Sequence, residues 1–192
     1  MIVINIWGEP GSGKSTVAAG LFFLMKINKY KVELVTEYAK ELIWDKHLTM
    51  FNHQMTLFSE QHRRLARLKD HGIDFAITDS PLPLSAFYNN NDYLTQLEPL
   101  IFEAYHEFNN LNFLLKRVHS FEKIGRRHDE KQSLKLAKDL RSFIDQHELT
   151  YTELEANPKT PEVLLQEIQR MERERSTTFP FPLPDSSSHE ST

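Results

Sequence analysis

The 192-residue sequence contains no cysteine, so disulfide bonds and thiolate chemistry are both excluded. No apolar run is long enough to cross a bilayer. The chain opens without the basic leader of a secreted precursor, and a cytoplasmic location away from membranes is the expectation. Positive charge is not in excess either: the formal net charge is −4, which argues against a dedicated nucleic-acid coat. What remains is ordinary for a globular chain, with 40% hydrophobic and 26% charged residues. The length suits one α/β domain with a full core and a short appendage.

The charge is unevenly spread. Residues 117–141 carry eight basic side chains (Arg117, Lys123, Arg126, Arg127, Lys131, Lys135, Lys138 and Arg141) against the four acids Glu122, Asp129, Glu130 and Asp139. A solvated helix face accounts for the part from Lys135 to Arg141. It accounts less well for GRRH at 125–128, and a basic island on an acidic body points to a local anion site.

Hydrophobic periodicity gives an alternation of strands and helices. Strands are expected at residues 1–7, 31–36 (KVELVT), 73–78 (IDFAIT), 112–118 (NFLLKRV) and 149–154. Helices are expected at 15–27, with Val17, Leu21, Leu24 and Met25 on one face, and at 37–45. Another is expected at 52–71, with Met55, Phe58, Leu65 and Leu68 in a stripe before Gly72 ends it. The remaining helices are placed at 93–108 (Leu94, Leu97, Ile101, Tyr105), 132–147 and 161–175. The polar, basic stretch 119–130 reads as a loop. Five strands alternating with helices predict an α/β fold with a parallel sheet covered on both faces. Residues 176–192 lack periodicity and space Pro180, Pro182 and Pro184 at alternate positions, so a flexible tail follows a domain of residues 1–175.

The sharpest motif is GEPGSGKST at residues 8–16, which matches G-x-x-x-x-G-K-[ST] through Gly8, Gly13, Lys14 and Ser15. It has the required setting, a strand before and a helix after. Glycines let backbone N–H groups turn inward around phosphate oxygens, and the following helix N-terminus adds a favourable dipole. Gly8, Gly11, Ser12, Gly13, Lys14, Ser15 and Thr16 are therefore the expected nucleotide cradle. Lys14 is placed to reach the outer phosphates and Ser15 to bind Mg²⁺.

Chemistry at such a loop needs a carboxylate at a neighbouring strand end. Asp79 closes the third strand, before Ser80 and Pro81, and is a metal candidate acting through water. Turn chemistry alone would also favour Asp-Ser-Pro. Glu37 closes the second strand in the same way and is placed to accept a proton from, or orient, a hydroxyl. A glutamate at a helix start is also favoured by the helix dipole.

The ordered set GEPGSGKS, TEYAKEL at 36–42, TDSP at 78–81 and GRR at 125–127 resembles the small-molecule P-loop kinases. The nearest pattern is the ribosylnicotinamide kinase domain of the NadR type, in the AAA_28-like group. Deoxynucleoside kinases and nucleoside monophosphate kinases are similar at greater distance. The resemblance spans residues 1–154. It implies a three-layer P-loop NTPase fold with a basic lid at about 119–131, ATP and Mg²⁺ as cofactors, and a nucleoside- or nucleotide-like acceptor. It assigns Glu37 to the acceptor or to proton abstraction, and Asp79 to Mg²⁺ or the acceptor sugar. Arg126 and Arg127 would neutralise the transferring phosphoryl group, with Lys123 and Arg117 as lesser candidates. The helix at 52–71 would pass the acceptor pocket, where Gln54 and Gln61 can read a base edge or amide or simply be surface residues. Tyr38, Phe87 and Tyr88 can stack on a planar ring or pack in the core. Ser80 stands where deoxynucleoside kinases usually carry an arginine. His53, His62 and His71 are spaced by nine residues, so neighbours point apart and form no metal site.

Two alternatives stay open at this level. A phage-type kinase could phosphorylate the hydroxymethyl group of a modified pyrimidine within DNA, which the basic segment suits and the acidic remainder opposes. A nucleotide-binding regulatory module or ATPase would hydrolyse ATP slowly and act through a partner, with the Pro-rich tail as its partner element. The sequence leaves the oligomeric state undetermined.

Overall fold

A computed structural model describes residues 1–47, 53–89, 94–122 and 129–178, with side chains described up to residue 174. The chain runs β1 (Ile2–Trp7), α1 (Lys14–Ile27), β2 (Val32–Val35), α2 (Tyr38–Trp44), α3 (Gln54–Ala66), β3 (Phe75–Thr78) and α4 (Leu84–Phe87). It continues through α5 (Leu97–His106), β4 (Asn109–Arg117), α6 (Glu130–Gln146), β5 (Thr152–Ala156) and α7 (Thr160–Thr178). The strands form one sheet in the order β2-β3-β1-β4-β5, and every pairing is parallel. The expected α/β architecture, a five-stranded parallel sheet with helices on both faces, is what the chain adopts.

Strand alternation divides the core into two layers. In β1, Ile4 and Ile6 join Val17, Leu21, Met25, Leu164 and Ile168, so α1 and α7 cover one face. Val3 and Trp7 point the other way and join Phe58, Leu65, Ile101, Leu140 and Ile144 from α3, α5 and α6. Because both faces are covered, β1 and β3 read as mostly apolar runs, interrupted only by the buried Asn5 and Thr78, which is why they were legible. The polar residues of β4 are also used inside: Asn112 accepts from the Trp7 indole at 3.0 Å and the Tyr105 hydroxyl at 2.8 Å, and Asn110 accepts from Asn5 at 2.9 Å.

Three expectations are corrected. The buried stripe of α3 is Gln54, Leu57, Phe58, Gln61 and Leu65, while Met55 is exposed. Leu94 is likewise exposed and lies before α5. The last strand starts at Thr152, not at 149. Glu148 takes a positive φ of 53° and the Leu149 N–H bonds the Ile144 carbonyl, so this stretch closes the end of α6 before the chain extends. The tail from residue 179 onward lies outside the described residues, and α7 runs to Thr178.

Candidate functional site

The C-terminal edge of a parallel sheet is where strand-end side chains and helix N-termini meet, and the site forms there. Residues 8–13 leave β1 and enter α1 at Lys14. Gly13 caps the helix with φ 93°, a left-handed conformation that side chains resist. At Gly8 the constraint is space: an added Cβ would lie 2.4 Å from Ser12 Oγ and 3.2 Å from the Leu115 carbonyl. The turn is held by the Ser12 N–H donating to the Glu9 carbonyl at 3.1 Å. The Lys14 ammonium donates to the same carbonyl at 3.1 Å.

Ser12 Oγ is buried and has no hydrogen-bond partner among the described residues. A buried hydroxyl without a partner costs free energy unless something meets it. Together with glycine positions that no side chain can fill, it fits a cradle for phosphate oxygens. Ser15 and Thr16 are exposed at the start of α1. The described residues contain no group of three or more His, Asp or Glu arranged to hold a metal.

Asp79 and Glu37 lie on the same sheet edge as the loop. Val35 in β2 is registered with Thr78 in β3, and Thr78 with Asn5 in β1, so residues just past each strand emerge side by side. Asp79 is buried, and its carboxylate accepts the Glu37 N–H at 3.0 Å. One acid therefore anchors the backbone of the other at the start of α2. Asp79→Ala leaves the part-buried Glu37 N–H without its acceptor and is expected to cost about 1 kcal/mol. Asp79→Asn keeps an acceptor oxygen and is expected to cost clearly less. Thermal melting checks this, and equal melting of both variants with the wild type would show that the bond does not hold α2.

Gln61 proves to be structural. Its side-chain amide donates to Thr78 Oγ1 at 3.2 Å and to the Thr36 carbonyl at 3.4 Å, and its oxygen accepts the Tyr38 N–H at 3.3 Å. It ties the ends of β2 and β3 to α2. Gln54 is buried on the same helix face. The Tyr38 ring lies under the Arg64 guanidinium, 5.0 Å from its centroid, and Arg64 bridges Glu41 at 2.7 Å and Glu60 at 2.9 Å. Arg63 also donates to Glu60 at 2.8 Å, and the bonds from Arg63 and then Arg64 hold the Glu60 carboxyl down at a pKa of about 2. Phe87 packs edge-on against Tyr88 and Phe143 in the core. Burial, then the charges of Glu37 and Glu9, push the Tyr88 phenol well above its usual range. His62 stacks on Phe58 and meets Phe108 edge-on, while His71 Nδ1 sits 2.8 Å from the Arg67 carbonyl, so the three histidines do not converge.

Lys123, Arg126 and Arg127 lie outside the described residues. Arg117, within the expected fourth strand, is the last residue of β4, and its side chain is buried beside Glu9 of the phosphate loop. Sequence reasoning also missed Glu9, His119, Ser133 and Ala156. A Cβ on Gly13 would lie 3.2 Å from His119 Nε2 and 3.5 Å from Ala156 Cβ, so the ends of β4 and β5 flank the loop. The Ser133 hydroxyl donates to the Pro10 carbonyl at 2.7 Å. The start of α6 had a readable signal: Asp129 and Gln132 form a capping box, each side chain accepting the other's N–H at 2.8 Å.

Comparison with known proteins agrees with this geometry. Residues 3–160 match the family model AAA_28, described as an AAA domain. No curated protein matches the chain. Among solved structures, one titled "Crystal structure of NadR protein in complex with NR" aligns with a TM-score of 0.61 and 16% identity. The alignment covers 79% of this chain and 45% of that one, so the chain spans under half the length of that protein. At this identity the likeness is one of fold.

Proposed function

Given that this chain belongs to the AAA_28 family of AAA domains, we propose that it is an ATP-dependent phosphotransferase acting on a hydroxyl of a nucleoside- or nucleotide-like acceptor. The observation that carries the reading is the junction of Asp79 with the Glu37 N–H on the loop's edge of the sheet. A phosphate cradle alone serves many purposes. A cradle with a half-buried glutamate held beside it by a second acid provides a base for an incoming hydroxyl.

In this scheme the loop N–H groups and Lys14 hold the triphosphate, with Ser15 toward Mg²⁺, which when bound offsets charge on the outer phosphates. The acceptor oxygen attacks the γ-phosphorus, and its proton passes to the Glu37 carboxylate. The bond from the γ-phosphorus to the bridging oxygen breaks, and ADP leaves with that electron pair. Asp79 fixes Glu37 and would help hold a Mg²⁺ ion through water. Arg126 and Arg127 are assigned to the transferring phosphoryl group. Tyr38 and Gln54 remain the residues proposed to border the acceptor, and a cytoplasmic location is part of the same proposal.

The test is a radiolabelled ATP screen run in parallel against nucleosides, nucleotides, ribosylnicotinamide and DNA containing 5-hydroxymethyluracil. Label in a free nucleoside or nucleotide is the expected result. Label only in the DNA would move the acceptor to a base within a polymer. ATP hydrolysis at one rate with and without every acceptor would replace the kinase with an ATPase or regulatory module.

A further inference from the structure

Arg117 presents a charge problem that the proposed reaction does not use. Its side chain is 7% exposed at the end of β4, three residues beyond Leu114, the register partner of Trp7. The guanidinium Nε lies 3.8 Å from Oε1 of Glu9, whose side chain is also 7% exposed, and Nη1 lies 3.3 Å from Oε1 of Glu130. The guanidinium packs over the Phe121 ring, 5.2 Å from its centroid. Nη1 makes no hydrogen bond among the described residues. A buried guanidinium between two carboxylates is kept for its charge, because a well-packed apolar side chain would fill the same space without the desolvation cost.

The position of Glu9 shows what the charge acts on. The Glu9 carbonyl receives both the Ser12 N–H and the Lys14 ammonium, so its placement sets the turn and the resting place of the lysine. On the other side, Glu130 and Ser133 both stand in the first turn of α6, and Ser133 grips the adjacent Pro10 carbonyl. The loop is clasped at neighbouring residues: Glu9 by charge and Pro10 by a hydrogen bond.

We propose that Arg117 is a positioning residue that clasps the Glu9 limb of the phosphate loop to the first turn of α6 and so presets the loop for the nucleotide. The proposal rests on the reading of the loop as an ATP site. Its physical consequence is specific. Removing Arg117 alone leaves the buried Glu9 carboxylate uncompensated, and Glu9 must move toward water, carrying the carbonyl that organises Ser12 and Lys14. Neutralising both partners removes the need to move. Glu130 is 60% exposed and tolerates the loss.

The experiment is calorimetric titration of the full chain with MgATP, at a temperature below the melting point of every variant. Arg117→Met is expected to weaken binding about tenfold, and Arg117→Lys to weaken it less, keeping charge without the planar fork. The double variant Glu9→Gln/Arg117→Met is expected to bind within about threefold of the wild type, a non-additivity that separates paired partners from independent sites. Arg117→Met binding as the wild type does, or losses from the two substitutions that simply add, would overturn the proposal. A wild-type protein that binds no MgATP would instead overturn the phosphotransferase reading, so the two failures are distinguished in one titration series.

Discussion

Lys14→Ala is expected to lower phosphoryl transfer by about 10³-fold while leaving the fold intact. The magnitude follows from removing a fixed cation from phosphate oxygens whose charge is redistributed during transfer, where single electrostatic contacts are worth about 10²–10³ and some arginine fingers more. The fold survives because, among the described residues, the ammonium's hydrogen bond is to the Glu9 carbonyl, and that oxygen keeps the Ser12 N–H. The side chain belongs to neither core cluster. Transfer of label from ATP, measured beside far-UV circular dichroism, checks both halves. A variant that kept a tenth or more of the wild-type rate would show that Lys14 does not serve the transferring phosphate.

Glu37→Gln is expected to reduce kcat by about 10²-fold or more, the range for loss of a general base, with little change in the affinity for ATP. The amide is isosteric, and the anchoring bond to Asp79 comes from the backbone N–H, so the substitution leaves the start of α2 in place. The change falls on proton acceptance, a demand of the transition state, so kcat and kcat/KM should fall together. Single-turnover transfer and MgATP titration on the same preparation separate the two quantities. An unchanged rate would leave Glu37 as an orienting group only and require another base.

The residues that proved legible share a physical character. Gly8, Gly13 and Lys14 are tied to their neighbours along the chain by a turn that only glycine permits, so spacing alone exposes them. β1 and β3 could be read because burial on both faces makes them mostly apolar. Gln61 could not be sorted from the sequence: its exposed and buried uses look the same until the carbonyl of Thr36 and the hydroxyl of Thr78 arrive beside it. Arg117 was read correctly as part of the fourth strand, but its partner was not legible: only the pairing of β4 with β1 brings it against Glu9.

The sequence by itself determined the parallel α/β sheet, the phosphate loop and the two acids at strand ends, because these depend on apolar runs and on local backbone geometry that residue types dictate. The tertiary structure alone decided that Asp79 holds the backbone of Glu37, 42 residues away in the chain, that Gln61 is a strut, and that Arg117 faces the loop. Those facts arise from strand order. β1 lies between β3 and β4, and no local pattern in the chain encodes which strand ends become neighbours.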